Sequence, residues 1–345
     1  MIRIAVDLMG SDHGVSELMS GIARLSIEEA VHLILVGDVE QISSALEEHP
    51  YQPANIEIVS SQYSISQEDD AAFMLKNRSG SSIDIAAELV AKGRADALVT
   101  AGNSAAVILS SSRHFNRLDG VRRVAFTAVL PTERRRGLTN DPFALLLDVG
   151  ATLHVEAEDL VNFALMGSVY AQIISKNAQP RIALLSNGSE ATKGAPEVVQ
   201  AHRFLDKTSL NFIGNVEGLD IPRGNADVIV CEGFMGNVVL KLLEGITELV
   251  ADLAQDAYER KWVWRVGLTM LSKELQKLKK LTDWKQYGGA PILGFDQIVI
   301  KAHGRSNARA IRNAVKIAQK AVEEDLIARI QKGLAEIKGD SHGDT

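Results

Sequence analysis

The chain has 345 residues, 46% of them hydrophobic and 23% charged, and a formal net charge of -7 at pH 7. That size and apolar content bury a large core and exclude a disordered chain, and the acidic balance excludes a general nucleic-acid binder. One cysteine, Cys231, excludes an internal disulfide and a Cys-built metal cluster, and no apolar run reaches the roughly 18 residues that cross a bilayer.

In chain order, Arg3-Ile-Ala-Val-Asp7 reads as a strand rather than a signal peptide, so the cytoplasm is the expected location. Further β-branched or aliphatic runs follow at His32–Gly37, Ala97–Thr100, Leu145–Asp148, Ile182–Leu185 and Val228–Val230, each ahead of a glycine-bearing turn and a helical stretch. That rhythm predicts an α/β protein with a parallel sheet covered by helices. In open sheets of this kind the site forms outside the carboxyl ends of the strands. The residues there are Asp7-Leu-Met-Gly-Ser-Asp12, Ala101-Gly-Asn-Ser104, Asp148-Val-Gly-Ala151, Ser186-Asn-Gly-Ser189 and Glu232-Gly-Phe-Met-Gly-Asn237.

Any one of these loops reads first as a turn, since Gly and Asn make turns. Several together on one sheet edge point to a site where backbone N–H groups approach an anion. No Walker loop and no dinucleotide fingerprint is present, so a small oxyanion is favoured over a nucleotide and no cofactor is expected. Cys231, in the apolar run Val228-Ile-Val-Cys231, reads as a buried small hydrophobe.

Residues 246–287 break the strand–helix rhythm. Leu249, Val250, Leu253, Ala254, Ala257 and Tyr258 recur at helical spacing and predict a helical hairpin inserted into one α/β domain spanning 1–337. Within it, Trp262, Trp264 and Arg265 interleave tryptophan with cations and suit contact with acidic lipid headgroups or a partner; the alternative is an apolar stripe buried between subunits. From Asn307 to Ile337 the pattern predicts one or two amphipathic helices, with Ala310, Ile311, Ala314, Val315, Ala318 and Val322 on one face, and residues 338–345 are expected to be a disordered tail. The histidines show no helical pair beside carboxylates, so no metal site is expected; Asp7, Asp12, Asp148 and Glu232 would form one only by meeting at the strand ends.

Several stretches, in this order, resemble the acyl-(acyl carrier protein):phosphate acyltransferases of bacterial phospholipid synthesis: Asp7–Asp12, Ala101-Gly-Asn103, Leu147-Asp-Val-Gly-Ala151, Gly214-Asn-Val-Glu-Gly218, Gly233-Phe-Met-Gly-Asn237, Tyr287-Gly-Gly-Ala-Pro291 and Lys301-Ala-His-Gly304. The resemblance runs from about residue 3 to 318. It implies a three-layer α/β/α fold with a mostly parallel sheet, of the isopropylmalate dehydrogenase-like group, a homodimer, and transfer of a fatty acyl group from acyl carrier protein to inorganic phosphate. A downstream glycerol-3-phosphate acyltransferase and contact with the inner face of the membrane follow as implied partners. Departures include Ser11, Ser104, Ala106, Thr152 and Glu232, where the family pattern commonly has other residues. A coenzyme A-dependent phosphotransacylase and a non-catalytic lipid-synthesis scaffold are the competing readings.

On this resemblance Lys193, in Glu190-Ala-Thr-Lys-Gly194, is the first choice to neutralise phosphate or the developing oxyanion. Asn237 is a neutral donor, and His303 either protonates the leaving thiolate or contacts phosphate. Asp7, Gly10, Asp12, Gly102, Asn103, Ser104, Asp148, Gly233 and Gly236 are expected to line the phosphate and substrate site, with Asn103 alternatively a helix cap. An acidic carrier protein calls for a basic docking patch, for which Arg113, Arg117, Arg122, Arg123 and Arg134–Arg136 are candidates, a solvated face being the alternative.

Overall fold

The computed structural model describes residues 1–77, 79–136, 141–260, 270 and 288–341. The expected membrane or partner residues Trp262, Trp264 and Arg265 lie outside them, as do the side chains of Arg134, Arg135 and Arg136.

The strands are β1 (Ile2–Asp7), β2 (Val31–Gly37), β3 (Ile56–Ser60), β4 (Ala97–Thr100), β5 (Ala125–Arg136), β6 (Asp141–Leu147), β7 (Ile182–Leu185), β8 (Phe212–Val216), β9 (Val228–Val230), β10 (Ala290–Leu293) and β11 (Ile298–Lys301). They form one sheet in the order β3-β2-β1-β4-β11-β10-β5-β6-β9-β7-β8. Helices cover both faces, as strict alternation along the strands requires. Ile4, Val6, Val99, Ile300, Leu145 and Val230 join the core on one face. Ala5, Leu98 and Val299 face the other layer, and so do Leu146 and Ile229. Full burial of each aliphatic side chain is worth about 1.5–3 kcal/mol, so both faces resist polar substitution. This is the expected three-layer α/β/α architecture.

The helices that position the site are α1 (Gly14–Glu28), α2 (Val39–Glu47), α3 (Ala71–Asn77), α4 (Ser82–Ala91), α5 (Ser104–His114), α6 (Ala157–Ile174), α7 (Pro196–Leu205), α8 (Asp220–Arg223), α9 (Gly233–Arg260), α10 (Ala308–Glu323) and α11 (Leu326–Ser341). The helical stretch expected from residue 246 starts earlier: α9 is continuous from Gly233, because its N-terminal turn is held directly by the strand-end residue Glu232. The expected amphipathic stretch divides into α10 and α11 at Asp325, whose φ of 52° is left-handed. Asn307 caps α10 by accepting from the Ala310 N–H at 3.0 Å. α11 continues past Ile337 to Ser341, into the segment expected to be disordered.

The sheet does not run one way. β1, β2, β3, β4 and β11 are parallel, but β10 is antiparallel to β11, β5 to β10, and β6 to β5. β6, β9, β7 and β8 are parallel to one another and therefore run against β1. The carboxyl ends of the two half-sheets open on opposite edges. The single rim of glycine-rich loops expected from the sequence is thus two rims.

Candidate active site

At the first rim, Asp7 ends β1 fully buried and accepts from the Thr100 hydroxyl at 2.8 Å and the Met9 N–H at 3.2 Å. Burial raises its pKa, while hydrogen bonds from Ser82, Thr100 and Met9 and the charge of Lys301 oppose the rise. Thr100 also accepts from the Gly102 N–H at 2.9 Å. The two glycine loops touch: a Cβ on Gly10 would lie 2.5 Å from the Gly102 Cα, so Gly10 tolerates no side chain, and one on Gly102 would crowd the Thr100 hydroxyl at 3.1 Å. Gln67 fastens both, donating to the carbonyls of Gly10 and Ala101 at 3.2 Å each. Asp12, exposed, donates its N–H to the Gly304 carbonyl at 2.9 Å and so ties this loop to the end of β11.

Asn103 is the cap of α5, accepting from the Ala106 N–H at 3.1 Å, and Ser104 is the first helical residue. Its amide N–H groups donate to the carbonyls of Ser66 at 3.1 Å and Gln67 at 3.3 Å. Both are committed to the loop, so Asn103 shapes this rim rather than donating to an oxyanion. His303 stands beside Glu244 of α9 at 3.8 Å, and its Nδ1 accepts from the Arg305 N–H at 3.1 Å. Burial first, then Lys301, Lys241 and Arg305, hold its pKa down against the pull of Glu244, which favours neutral imidazole at pH 7.

Lys301 opens the stretch Lys301-Ala-His-Gly304 but carries no role in the sequence reading. It is 6% exposed, and its Nζ donates to the Ala302 carbonyl at 2.6 Å. Burial lowers its pKa to about 8, against the raising fields of Asp12 and Asp7. A charged residue closing the apolar run Ile298-Val-Ile-Lys301 was the available signal. Its folded pKa lies below the unfolded value of about 10.4, so the unfolded chain binds more protons between the two. Stability should therefore rise with pH from about 8 to about 10.4, the charge penalty being complete below that window. Chemical denaturation across that range should show a rise of order 2–3 kcal/mol that Lys301→Met abolishes.

At the second rim, Asp148 is the organiser. It is 0% exposed and receives five hydrogen bonds: Phe126 N–H at 2.8 Å, Gly150 N–H at 3.1 Å, Ala151 N–H at 3.0 Å, Thr152 N–H at 2.7 Å and the Thr152 hydroxyl at 2.8 Å. Burial raises its pKa and these donors oppose the rise. The Thr152 hydroxyl in turn accepts from the Gly233 N–H at 3.2 Å, locking the start of α9 to the turn after β6. Gly233 and Gly236 are forced: a Cβ would meet the Thr152 carbonyl oxygen at 2.3 Å in the first case and that of Asp148 at 1.9 Å in the second. Glu232 accepts from the Phe234 and Met235 N–H groups at 2.6 and 2.8 Å, capping α9. The Cys231 thiol is buried, its pKa pushed up by burial, Asp148 and Glu232, which rules it out as a thiolate nucleophile at neutral pH.

Asn237 is exposed, one turn into α9, with its Cγ 3.9 Å from where a Cβ of Gly150 would stand. Lys193 is exposed on the loop between β7 and α7 at this same rim. The loop backbone is fixed by Asn215, which donates to the carbonyls of Glu190 at 2.9 Å and Lys193 at 3.4 Å. The structure therefore places Lys193, Asn237, Asp148, Gly233 and Gly236 on one rim. Asp7, Gly10, Asp12, Gly102, Asn103, Ser104 and His303 sit on the other. The four acids that would have formed a metal site are divided between the rims, and among the described residues no group of three or more His, Cys, Asp or Glu is close enough to hold an ion. α9 spans the gap: its first turn touches the Asp148 rim, and Glu244 reaches His303, about 16 Å further along the axis. Lys241, paired with Glu244 at 2.8 Å, adds a cation there that the sequence did not single out.

The expected docking arginines are partly spent. Arg113 pairs with Asp84 at 3.2 Å, and Arg122 pairs with Glu156 at 3.1 Å and with Asp159. Arg117 donates to the Arg122 carbonyl.

The model of the family described as "Fatty acid synthesis protein" matches residues 2–329. A phosphate acyltransferase of Dictyoglomus turgidum is 39% identical over 338 residues, covering 97% of this chain and 98% of that one. One from Desulfitobacterium hafniense is 39% identical over 335 residues, with 97% and 98% covered. Among solved structures, a phosphotransacetylase from Streptococcus pyogenes superposes with a TM-score of 0.61 at 16% identity, covering 94% of each chain. A branched-chain phosphotransacylase from Enterococcus faecalis gives 0.54 at 15% identity, over 93% of this chain and 99% of the other. These likenesses fix the fold.

Proposed function

The chain belongs to the phosphate acyltransferase family and transfers an acyl group to phosphate in lipid synthesis, and from that premise we propose that its donor is the fatty acyl thioester of an acyl carrier protein. The reaction is attack of a phosphate oxygen on the thioester carbonyl, formation of a tetrahedral oxyanion and departure of a thiolate. Phosphate is itself the nucleophile, so the protein's task is to hold a dianion beside a carbonyl and stabilise the charge that develops. The observation that carries the assignment of residues is the second rim, where an exposed lysine on a fixed backbone, Lys193, lies on the same edge as the Asn237 amide and the glycine turn held by Asp148.

In this reading Lys193 neutralises phosphate and Asn237 donates to the oxyanion without adding charge. His303, neutral at pH 7 and on the opposite rim, contacts the carrier's thioester arm. A thiol of pKa about 8.5 leaves without strong acid help, so His303 contributes by position. Asp7, Gly10, Asp12, Gly102, Asn103 and Ser104 shape that rim. Assay of purified protein with acyl-carrier protein and phosphate, the product trapped by hydroxylamine, should give phosphate-dependent loss of thioester. An acyl-CoA of equal chain length should react with a kcat/KM at least tenfold lower; equal rates would remove the carrier-protein assignment.

We also propose a homodimer through α9. Leu242, Ile246, Leu249 and Leu253, spaced along one stripe, are 61%, 49%, 58% and 60% exposed, and contiguous apolar surface of this kind marks an interface. Trp262, Trp264 and Arg265 are the proposed contact with the membrane's inner face, which would pass acyl phosphate to a downstream acyltransferase. Among the described residues no helix is long and apolar enough to cross a membrane.

A further inference from the structure

Away from both rims, a cavity of about 360 Å³ lies where α6 and α10 part above the β5–β6 ladder. Each helix covers one of the two oppositely running half-sheets, and the cavity sits at their seam. Its floor is apolar and buried, formed by Ala144, Leu145, Tyr170 and Ala171, with Val129 and Phe143 of the hairpin beside them. Its rim is half-exposed and polar: Asn177 in the loop after α6, and Asn313, Lys316 and Lys320 on α10. Lys316 and Lys320 stand one helical turn apart on one face, but the Lys316 ammonium is paired with Glu29, the residue that follows α1. The Lys320 Nζ donates to the Ile174 carbonyl at 3.0 Å, which sets a cation across the gap between the helices. The acid in the lining, Asp227, is turned to Arg181, with contacts of 2.8 to 3.1 Å.

We propose that this cavity binds one long aliphatic chain bearing an anionic head, the chain on the apolar floor and the head at Lys320. The class of ligand rests on the acyl-transfer reading, since acyl phosphate and long-chain carboxylate share this chemistry. Size agrees: about 360 Å³ falls in the range of ligand pockets. An apolar floor gives water few partners, so displacing it favours a hydrocarbon. Ile174 and Ile317, both partly exposed, complete the apolar lining.

The test is calorimetric titration of the full chain, below micelle concentrations, with dodecyl phosphate, dodecanoate, dodecanol and inorganic phosphate. Ile174→Trp fills the cavity and touches neither rim. It should bind one equivalent of dodecyl phosphate fewer than wild type and keep acyl transfer within about twofold. Lys320→Gln should weaken dodecyl phosphate about tenfold and leave dodecanol unchanged. Tighter binding of dodecyl phosphate than dodecanoate assigns the enzyme's own product class; the reverse assigns a free fatty acid. Equal stoichiometry and affinity in wild type and Ile174→Trp would overturn the site. Independently of any variant, an alkyl phosphate with a photoreactive chain end should label peptides containing residues 170–177 and 313–320, and labelling confined to the strand-end loops would also overturn it. If wild type forms no acyl phosphate, the acyl-transfer reading fails while the one-equivalent difference remains readable.

Discussion

Lys193→Ala should lower kcat/KM for phosphate by about a hundredfold to a thousandfold, the scale expected when one preorganised charge-stabilising group is removed. The same variant should melt within experimental error of wild type. Lys193 is exposed, and the groups that fix its loop are the Asn215 amide and the backbone carbonyls of Glu190 and Lys193, none of which the substitution removes. Surface changes of this kind shift stability by less than about 0.5 kcal/mol. Lys193→Arg separates charge from geometry: restored affinity for phosphate with a low kcat would mean that the cation recruits the dianion but that its placement sets the rate. Unchanged kinetics for Lys193→Ala would move the phosphate site to the other rim, where Lys241, Lys301 and Arg305 surround His303.

The second large effect is on stability. Asp148→Ala should cost about 3–5 kcal/mol and lower Tm by roughly 5 °C, because it removes the buried carboxylate on which four backbone N–H groups and one hydroxyl converge. Asp148→Asn keeps the shape but turns an amide NH2 toward N–H donors, so a smaller loss is expected. Thr152→Val, which removes one of the five donors and the acceptor for the Gly233 N–H, should cost about 1 kcal/mol. Activity should fall in all three, as the turn that faces Asn237 loosens. A thermal melt of Asp148→Ala indistinguishable from wild type would show that Asp148 does not hold the turn.

Much of this protein was legible from residues alone. Period-two runs of aliphatic residues with no polar face, as in Val31–Gly37 and Ile182–Leu185, cannot be satisfied except by burial on both sides, and these strands lie where the sequence put them. The strands that escaped notice carry weaker patterns for physical reasons. β3 and β8 are sheet edges, only partly buried, and β8 has Gly214 and Asn215 in its interior. β5 and β10 contain Pro131 and Pro291, which usually argue against a central strand. β10's pairs with β5 reach only to Phe126, short of Pro131.

Those two strands decided what the sequence did not. The strand-end glycines were legible as special positions, because Gly10, Gly233 and Gly236 answer to local crowding, although Gly233 to Asn237 form the first turn of α9 rather than a loop. Which motifs share an edge depends on strand direction, a property of chain threading that no residue type encodes. The antiparallel pair at the centre sent Asp7 and Asp148 to opposite rims and left α9 to connect them. Composition, alternation and ordered motifs thus determined the layered fold and the glycine-rich loops at its strand ends. Only the tertiary structure divided those loops, committed Asn103 to the backbone, buried Lys301 beside two carboxylates, and opened a cavity at the seam of the half-sheets.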